Sequence, residues 1–304
     1  MNNATISDET LILITTAIIM GTLTRLITLK LDYRQYPSYP NGYFTHCVLG
    51  FIAAAIGAVA MPAIKTKNFV AMTFLTIAIQ QFRDVRRAER ESLVSLENTE
   101  FTVRGEAYID GISKTFESRN YMVLMVSLVT GIVMQLLEDH SIPMQVGAGV
   151  LAGSITFTFL RIFTRGQTVG QVADVAIGKV EVKGAELFVD DIYVCNTLGT
   201  ENAHKMMAEE GMAAVITPKE QHYRITLDNF GQRQAILFEV CRALGVKRYH
   251  FTRKEYKEGK IVVAIVPIIR DEMFMMQVIK ETPLLENVTK YHGIMKHKYI
   301  SKGE

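Results

Sequence analysis

The residues with the clearest chemical capacity lie in a charged arm, residues 83–119, set between two apolar runs. Asp84 stands where one run ends, within Gln80-Gln81-Phe82-Arg83-Asp84-Val85-Arg86-Arg87. A carboxylate beside a bilayer is costly without a partner, and Arg83 or Arg87 would be the ordinary one. Further on, Glu106 and Asp110 are four residues apart, which puts both on one face of a helix. Two carboxylates so placed could share a proton, hold a cation, or pair with Arg104 and Lys114; ion pairing is the plainer expectation. Arg83, Arg86, Arg87 and Arg90 interleave with Asp84, Glu89 and Glu91 at helical pairing distances, as on a solvated helix near headgroups. Outside the arm, Asp174, Asp190, Asp191 and Asp228 read as surface or capping residues. Adjacent residues of a strand point to opposite faces, so Asp190 and Asp191 would not act as a pair.

Five apolar runs flank and follow the arm: residues 11–24, 48–64, 69–82, 121–137 and 143–160. A bilayer core needs roughly 20 helical residues, about 17 at the lower edge. The second, fourth and fifth runs are near that edge and free of charge. The first reaches it if Arg25 snorkels to the interface. The third is shortest and needs its flanks, so five crossings are expected, with four as the rival count. Lys and Arg cluster in 25–45, in the arm and at Arg161 and Arg165, whereas residues 1–10 carry none. The positive-inside bias then places the N-terminus outside and the C-terminus in the cytoplasm. Residues 1–10 also lack a basic n-region, so the first run reads as a retained anchor. Gly149 and Gly153 form a GxxxG pair, and Gly50, Ala54 and Ala58 share a face. Bundle packing within the chain is the plainer use of such residues; a homo-oligomer stays open.

Over the 304 residues the mean hydropathy is +0.16 and the net charge only +2, so no polyelectrolyte signal points to nucleic acid. Cys47, Cys195 and Cys241 lie far apart with no CxxC, which argues against a zinc site or disulfide framework. Neither HExxH, GxSxG, SxxK, Walker A nor GxGxxG occurs where it would carry chemistry. No cofactor or metal is expected.

After Arg165 the pattern changes to an α+β region. Residues 168–196 alternate like short antiparallel strands around Gly184, and a helix over 201–211 follows. A βαββαβ order is then read: strand 223–227, helix 231–244 ending at Gly245, strands 247–254 and 260–268, helix 271–281 halted by Pro283, and strand 289–298. That order is ferredoxin-like. The expected organisation is a multi-span α-helical membrane domain over 1–165 carrying the arm, a small β-rich unit over 166–215, and a ferredoxin-like domain over 216–304.

From Tyr108 the arm reads Tyr108-Ile109-Asp110-Gly111-Ile112-Ser113, then Lys114-Thr115-Phe116-Glu117-Ser118-Arg119-Asn120-Tyr121. This resembles the signature of the YIEGIA family of membrane proteins from endospore-forming bacteria. The likeness extends across the multi-span half and the tail. It implies a bacterial cell-membrane protein linked to sporulation, with aspartic protease activity. Two departures stand out: Asp110 occupies the position of the Glu in the family name, and Ser113 that of the final Ala. An added methylene moves a carboxylate further than a positioned dyad permits, so exchange of Glu and Asp there favours a structural role for Asp110.

An aspartic protease needs two carboxyls sharing one proton, one acting as base on water while the other donates. No Asp-Thr-Gly, Asp-Ser-Gly or Gly-x-Gly-Asp is present. The expected catalytic candidates are Asp84 and Asp110 on the cytoplasmic side, acting on a cytoplasmic protein substrate. The alternative is a non-catalytic scaffold or regulator, bound to the lipid bilayer, whose tail takes a soluble partner. A small-solute channel comes third, since polar groups expected inside the runs are limited to hydroxyls, Gln135 and Gln145.

Overall fold

A computed structural model describes residues 7–32 and 40–289. The chain forms α1 (Asp8–Asp32), α2 (Pro40–Lys65), α3 (Phe69–Glu97), α4 (Glu106–Leu136), α5 (Ile142–Phe163) and α6 (Val169–Val172). Strands β1 (Ala173–Gly178), β2 (Val180–Lys183), β3 (Glu186–Val189) and β4 (Ile192–Cys195) follow. Then come α7 (Glu201–Glu210), β5 (Met212–Pro218), α8 (Tyr223–Asp228), α9 (Phe230–Leu244), β6 (Val246–Lys254), β7 (Ile261–Pro267) and α10 (Glu272–Glu281). Two compact units result: a helical unit of residues 1–91 and 112–165, and an α/β unit of residues 92–111 and 166–304.

In the helical unit, α1, α2, α4 and α5 are long and apolar enough to cross a membrane. α3 is not among them: its apolar residues end near Phe82, and the charged start of the arm continues the same helix. Among the described residues four helices thus meet that length and apolarity, where the sequence suggested five crossings with four as the rival count. Small residues set the helix spacing, because without a hydrophobic drive between membrane helices close backbone approach supplies the contact. A Cβ on Gly21 would lie 2.6 Å from that of Ala54, one on Gly57 would lie 2.4 Å from the Leu124 carbonyl oxygen, and one on Gly153 would lie 2.4 Å from Thr130 Oγ1. The Ser127 hydroxyl donates to the Ala54 carbonyl at 2.7 Å, joining α4 to α2. The GxxxG pair thus packs on α4 of the same chain, since Gly149 meets Met134 and Gly153 meets Thr130.

The α/β unit is built on a four-stranded antiparallel sheet in the order β1-β5-β7-β6, with a second sheet β2-β3-β4. β5 and β6 each run antiparallel to β7, so they are parallel to each other with β7 inserted between them. The two central strands are buried on both faces. Ile216, Ile261, Val263 and Ile265 pack with α9 and α10, while Val215, Val262 and Val266 pack with the small sheet and α7. Strands covered on both sides need no polar alternation, which explains the runs Met212-Ala213-Ala214-Val215-Ile216 and Ile261-Val262-Val263-Ala264-Ile265-Val266.

Two parts of the expected tail differ. Tyr223–Asp228 is a helix, α8, so the βαββαβ order does not begin there. The sheet position beside β5 is taken by β1, and strands from 166–215 and 216–304 share one core. Most of the expected last strand, 289–298, lies outside the described residues; Thr289 itself belongs to a helical turn.

Candidate functional site

Of the two carboxylates singled out, Asp84 lies exposed on α3 in the helical unit. Of the two arginines expected to neutralise it, Arg87 is engaged elsewhere, as is the neighbouring Arg86. Arg86 Nη1 lies 3.0 Å from Glu117 Oε2, a half-buried pair joining α3 to α4, and Arg87 Nε pairs with Glu91 at 2.9 Å. Among the described residues, no hydrogen bond or ion pair reaches Asp84. Asp110 belongs to the α/β unit, on the first turns of α4, where it is half-buried and engaged with neighbours. Arg104, one of its expected partners, pairs instead with Glu100 at 2.9 Å. Glu106 is exposed.

The remaining acids have structural work. Asp190 and Asp191 are not strand residues: both adopt positive φ (48° and 66°) in the two-residue turn joining β3 to β4. Such turns favour Asn, Asp and Gly because their central residues are left-handed. The Asp190 carboxylate accepts the Lys179 N–H at 2.7 Å, Asp228 pairs with Lys254 at 2.7 Å, and Asp174 stands 3.9 Å from Lys219 Nζ. Among the described residues, no group of three or more Cys, His, Asp or Glu side chains is arranged to hold a metal ion.

The helical unit holds a polar cluster that the sequence reading did not anticipate. Arg25 does not reach outward: it is fully buried, its guanidinium carbon 5.2 Å from the centre of the Phe116 ring. The His46 ring lies 4.7 Å from the same ring at a tilt of 56°. Gly50, one turn beyond His46 on α2, makes room for the Arg25 stem, since a Cβ there would sit 2.4 Å from Arg25 Cγ. Asn120, one turn beyond Phe116, is wholly buried, and among the described residues neither its amide oxygen nor its nitrogen is hydrogen-bonded. Burial pushes the Glu89 carboxyl up, with the Arg25 charge pulling the other way. Arg25, His46 and Asn120 add to the polar residues of the apolar helices, which removes one ground for setting the channel reading aside.

In the α/β unit, residues 97–108 are clasped against α9 and β6. The Tyr108 hydroxyl donates to Glu239 Oε1 at 2.5 Å, and Gln234 Nε2 donates to the Val103 carbonyl at 2.5 Å. Arg104 lies over the Phe238 ring at 4.9 Å, and Phe101 meets the His250 ring at 5.3 Å. Glu97 closes the segment from the other side, accepting the backbone N–H groups of Arg104 and Gly105. A cavity of about 160 Å³ elsewhere in this unit is lined by Arg224, Asp228, Lys254 and Tyr256. Burial pushes the Cys241 thiol up to about 11, so it is held as thiol and is a poor nucleophile at neutral pH.

Comparison with known proteins agrees with the signature around Tyr108. The model of the YIEGIA protein family matches residues 13–293, and the chain belongs to that family. It is 38% identical over 280 residues to the "Uncharacterized protein YphB" of Bacillus subtilis (strain 168), covering 90% of this chain and 92% of that one. No solved structure matches. Family membership and four helices fit to cross a bilayer define a membrane protein.

Proposed function

We propose that this is a sporulation-associated integral membrane protein of the bacterial cell membrane, acting as an aspartic-type endopeptidase with a cytoplasmic-facing site. Asp84 and Asp110 are the carboxyls assigned to it. The observation that carries the reading is the uncommitted Asp84 carboxylate: it is exposed, while the nearby Arg86 and Arg87 serve Glu117 and Glu91. In such chemistry an ionised carboxylate takes a proton from water as the oxygen attacks the peptide carbon. A protonated partner gives its proton to the carbonyl oxygen, and the leaving amine is protonated as the C–N bond breaks. The test compares protein N-termini in sporulating cells carrying wild type, Asp84→Asn or Asp110→Asn at matched membrane levels. Loss of a cleavage product with either variant is expected; unchanged products in both would remove these acids from catalysis.

The orientation that goes with this reading puts the N-terminus outside and the C-terminus in the cytoplasm. It requires an odd number of crossings, and therefore the apolar first half of α3 as the fifth. An N-terminal tag reached by an impermeant reagent in intact cells supports it, and a tag protected there speaks for four crossings.

A second reading, a non-catalytic scaffold or regulator, is favoured by a different observation. Ile268, Ile269, Met273 and Phe274 are all exposed around the start of α10, and clustered exposed apolar side chains mark interaction surfaces. Under this reading a soluble partner docks there, and Ile269→Asp with Met273→Asp abolishes its capture while leaving every cleavage product intact.

A further inference from the structure

The segment that leads into Asp110 has little structure of its own. Between the end of α3 and the start of α4 it is irregular, and Phe101 and Val103 are largely exposed. Besides Phe101 on His250 of β6 and the Glu97 carboxylate, it is held by a few contacts with α9, and these fall on one stripe: Gln234, Phe238 and Glu239, then Cys241 and Arg242. The strongest is Tyr108 to Glu239. Tyr108 is 4% exposed and the Glu239 side chain 13%, so the bond is charge-assisted and nearly dry, conditions under which such bonds gain strength. Packing alone would not require the hydroxyl, because the Tyr108 ring already meets Phe238 edge-on at 6.3 Å. Nor would it require the carboxylate, whose second oxygen lies 4.0 Å from Arg242 Nε.

We propose that Tyr108 and Glu239 form a latch through which α9 sets the position of Asp110, making both of them positioning residues for the site. The proposal rests on the reading that Asp110 carries chemistry. Asp110 follows Tyr108 by two residues on the same helix, about 3 Å along its axis, so any movement at Tyr108 is passed to it. Misplacement of a reacting group by about 1 Å costs about a hundredfold in rate. The α/β unit, by tightening or releasing this latch, would then govern the carboxyl without touching substrate.

The test uses the full chain in lipid nanodiscs and reads two quantities: hydrogen exchange of the amides in 99–111, and cleavage of a protein substrate identified by the N-terminus comparison in sporulating cells. Tyr108→Phe removes the donor and keeps the ring; Glu239→Leu removes the acceptor; Glu239→Gln keeps an acceptor oxygen. Tyr108→Phe and Glu239→Leu are expected to speed exchange about tenfold, the loss of one such bond, and to lower kcat with KM unchanged. Glu239→Gln stays within about threefold of wild type. Bridging Val103→Cys to Gln234→Cys with a short bis-maleimide restores both quantities in the Tyr108→Phe background. Wild-type exchange in Tyr108→Phe, or a bridge that restores exchange but not kcat, overturns the proposal. If the wild type cleaves nothing, the protease reading falls, and exchange alone decides whether the latch exists.

Discussion

The Arg25 guanidinium and the His46 ring both rest on Phe116, at 5.2 Å and 4.7 Å, within the helical unit. Three helices thus meet around one aromatic ring, with a fully buried arginine at the junction. A charge so placed is rare among membrane helices and marks a site of structural or functional consequence.

Replacing Arg25 separates its volume from its charge. Arg25→Ala empties the space cleared by Gly50 and is expected to destabilise the protein by roughly 2–5 kcal/mol. Arg25→Met refills that space, and buried ions are often replaced by apolar groups without loss. Thermal unfolding in detergent should therefore rank wild type and Arg25→Met together, with Arg25→Ala well below. Equal loss in both variants would mean that the charge itself holds the cluster.

The glycines of α2 and α5 make a paired test of helix spacing. A Cβ at Gly57 meets the Leu124 backbone oxygen at 2.4 Å, and a backbone atom cannot step aside like the end of a side chain. Gly57→Ala must push α2 from α4, at about 1–3 kcal/mol. Gly147 has nothing within 4 Å, so Gly147→Ala is expected to leave the melting temperature unchanged or slightly raised. The same melting curves read both.

Cys241 gives the α/β unit a defined response to alkali. Its thiol is raised by burial from 9.0 to about 11, so the folded state holds the proton more tightly than the unfolded chain does. The stability this contributes is whole below about pH 9 and is lost as pH rises through about 11. For two pK units that is about 2–3 kcal/mol. Cys241→Ser, lacking that titration, should flatten the fall in unfolding free energy between pH 9 and 11. An unchanged slope would assign the fall to other groups.

Much of the α/β unit was legible because its helices carry their own start signals. Thr200, Asn229 and Asp271 each cap a helix by accepting the N–H three residues on, and capping side chains are local features that a sequence displays. Tyr223–Asp228 was misread because Tyr-Arg-Ile-Thr-Leu-Asp alternates like a strand, while tertiary packing buries Thr226 and Leu227 side by side in a short helix. Asp190 and Asp191 looked like strand continuation because neither a glycine nor an asparagine announced the turn. Arg25 was misjudged for a different reason. Its distance from the end of an apolar run suggested an outward reach, and nothing local reveals that Gly50 on another helix clears space for it. For the candidate carboxylates, sequence spacing placed Glu106 and Asp110 on one helix, yet it paired Arg104 with them when Glu100 holds it.

The α/β unit is assembled from two stretches of chain, residues 92–111 and 166–304, with most of α4 and all of α5 synthesised between them. During translation the clasped segment therefore leaves the ribosome well before α9 exists to receive it. Phe101 and Tyr108 must wait without their partners on β6 and α9 while two further hydrophobic helices are made and handed to the insertion machinery. Closure of the unit is thus a late event in biogenesis, and it can occur only in chains whose last apolar helix has already been made.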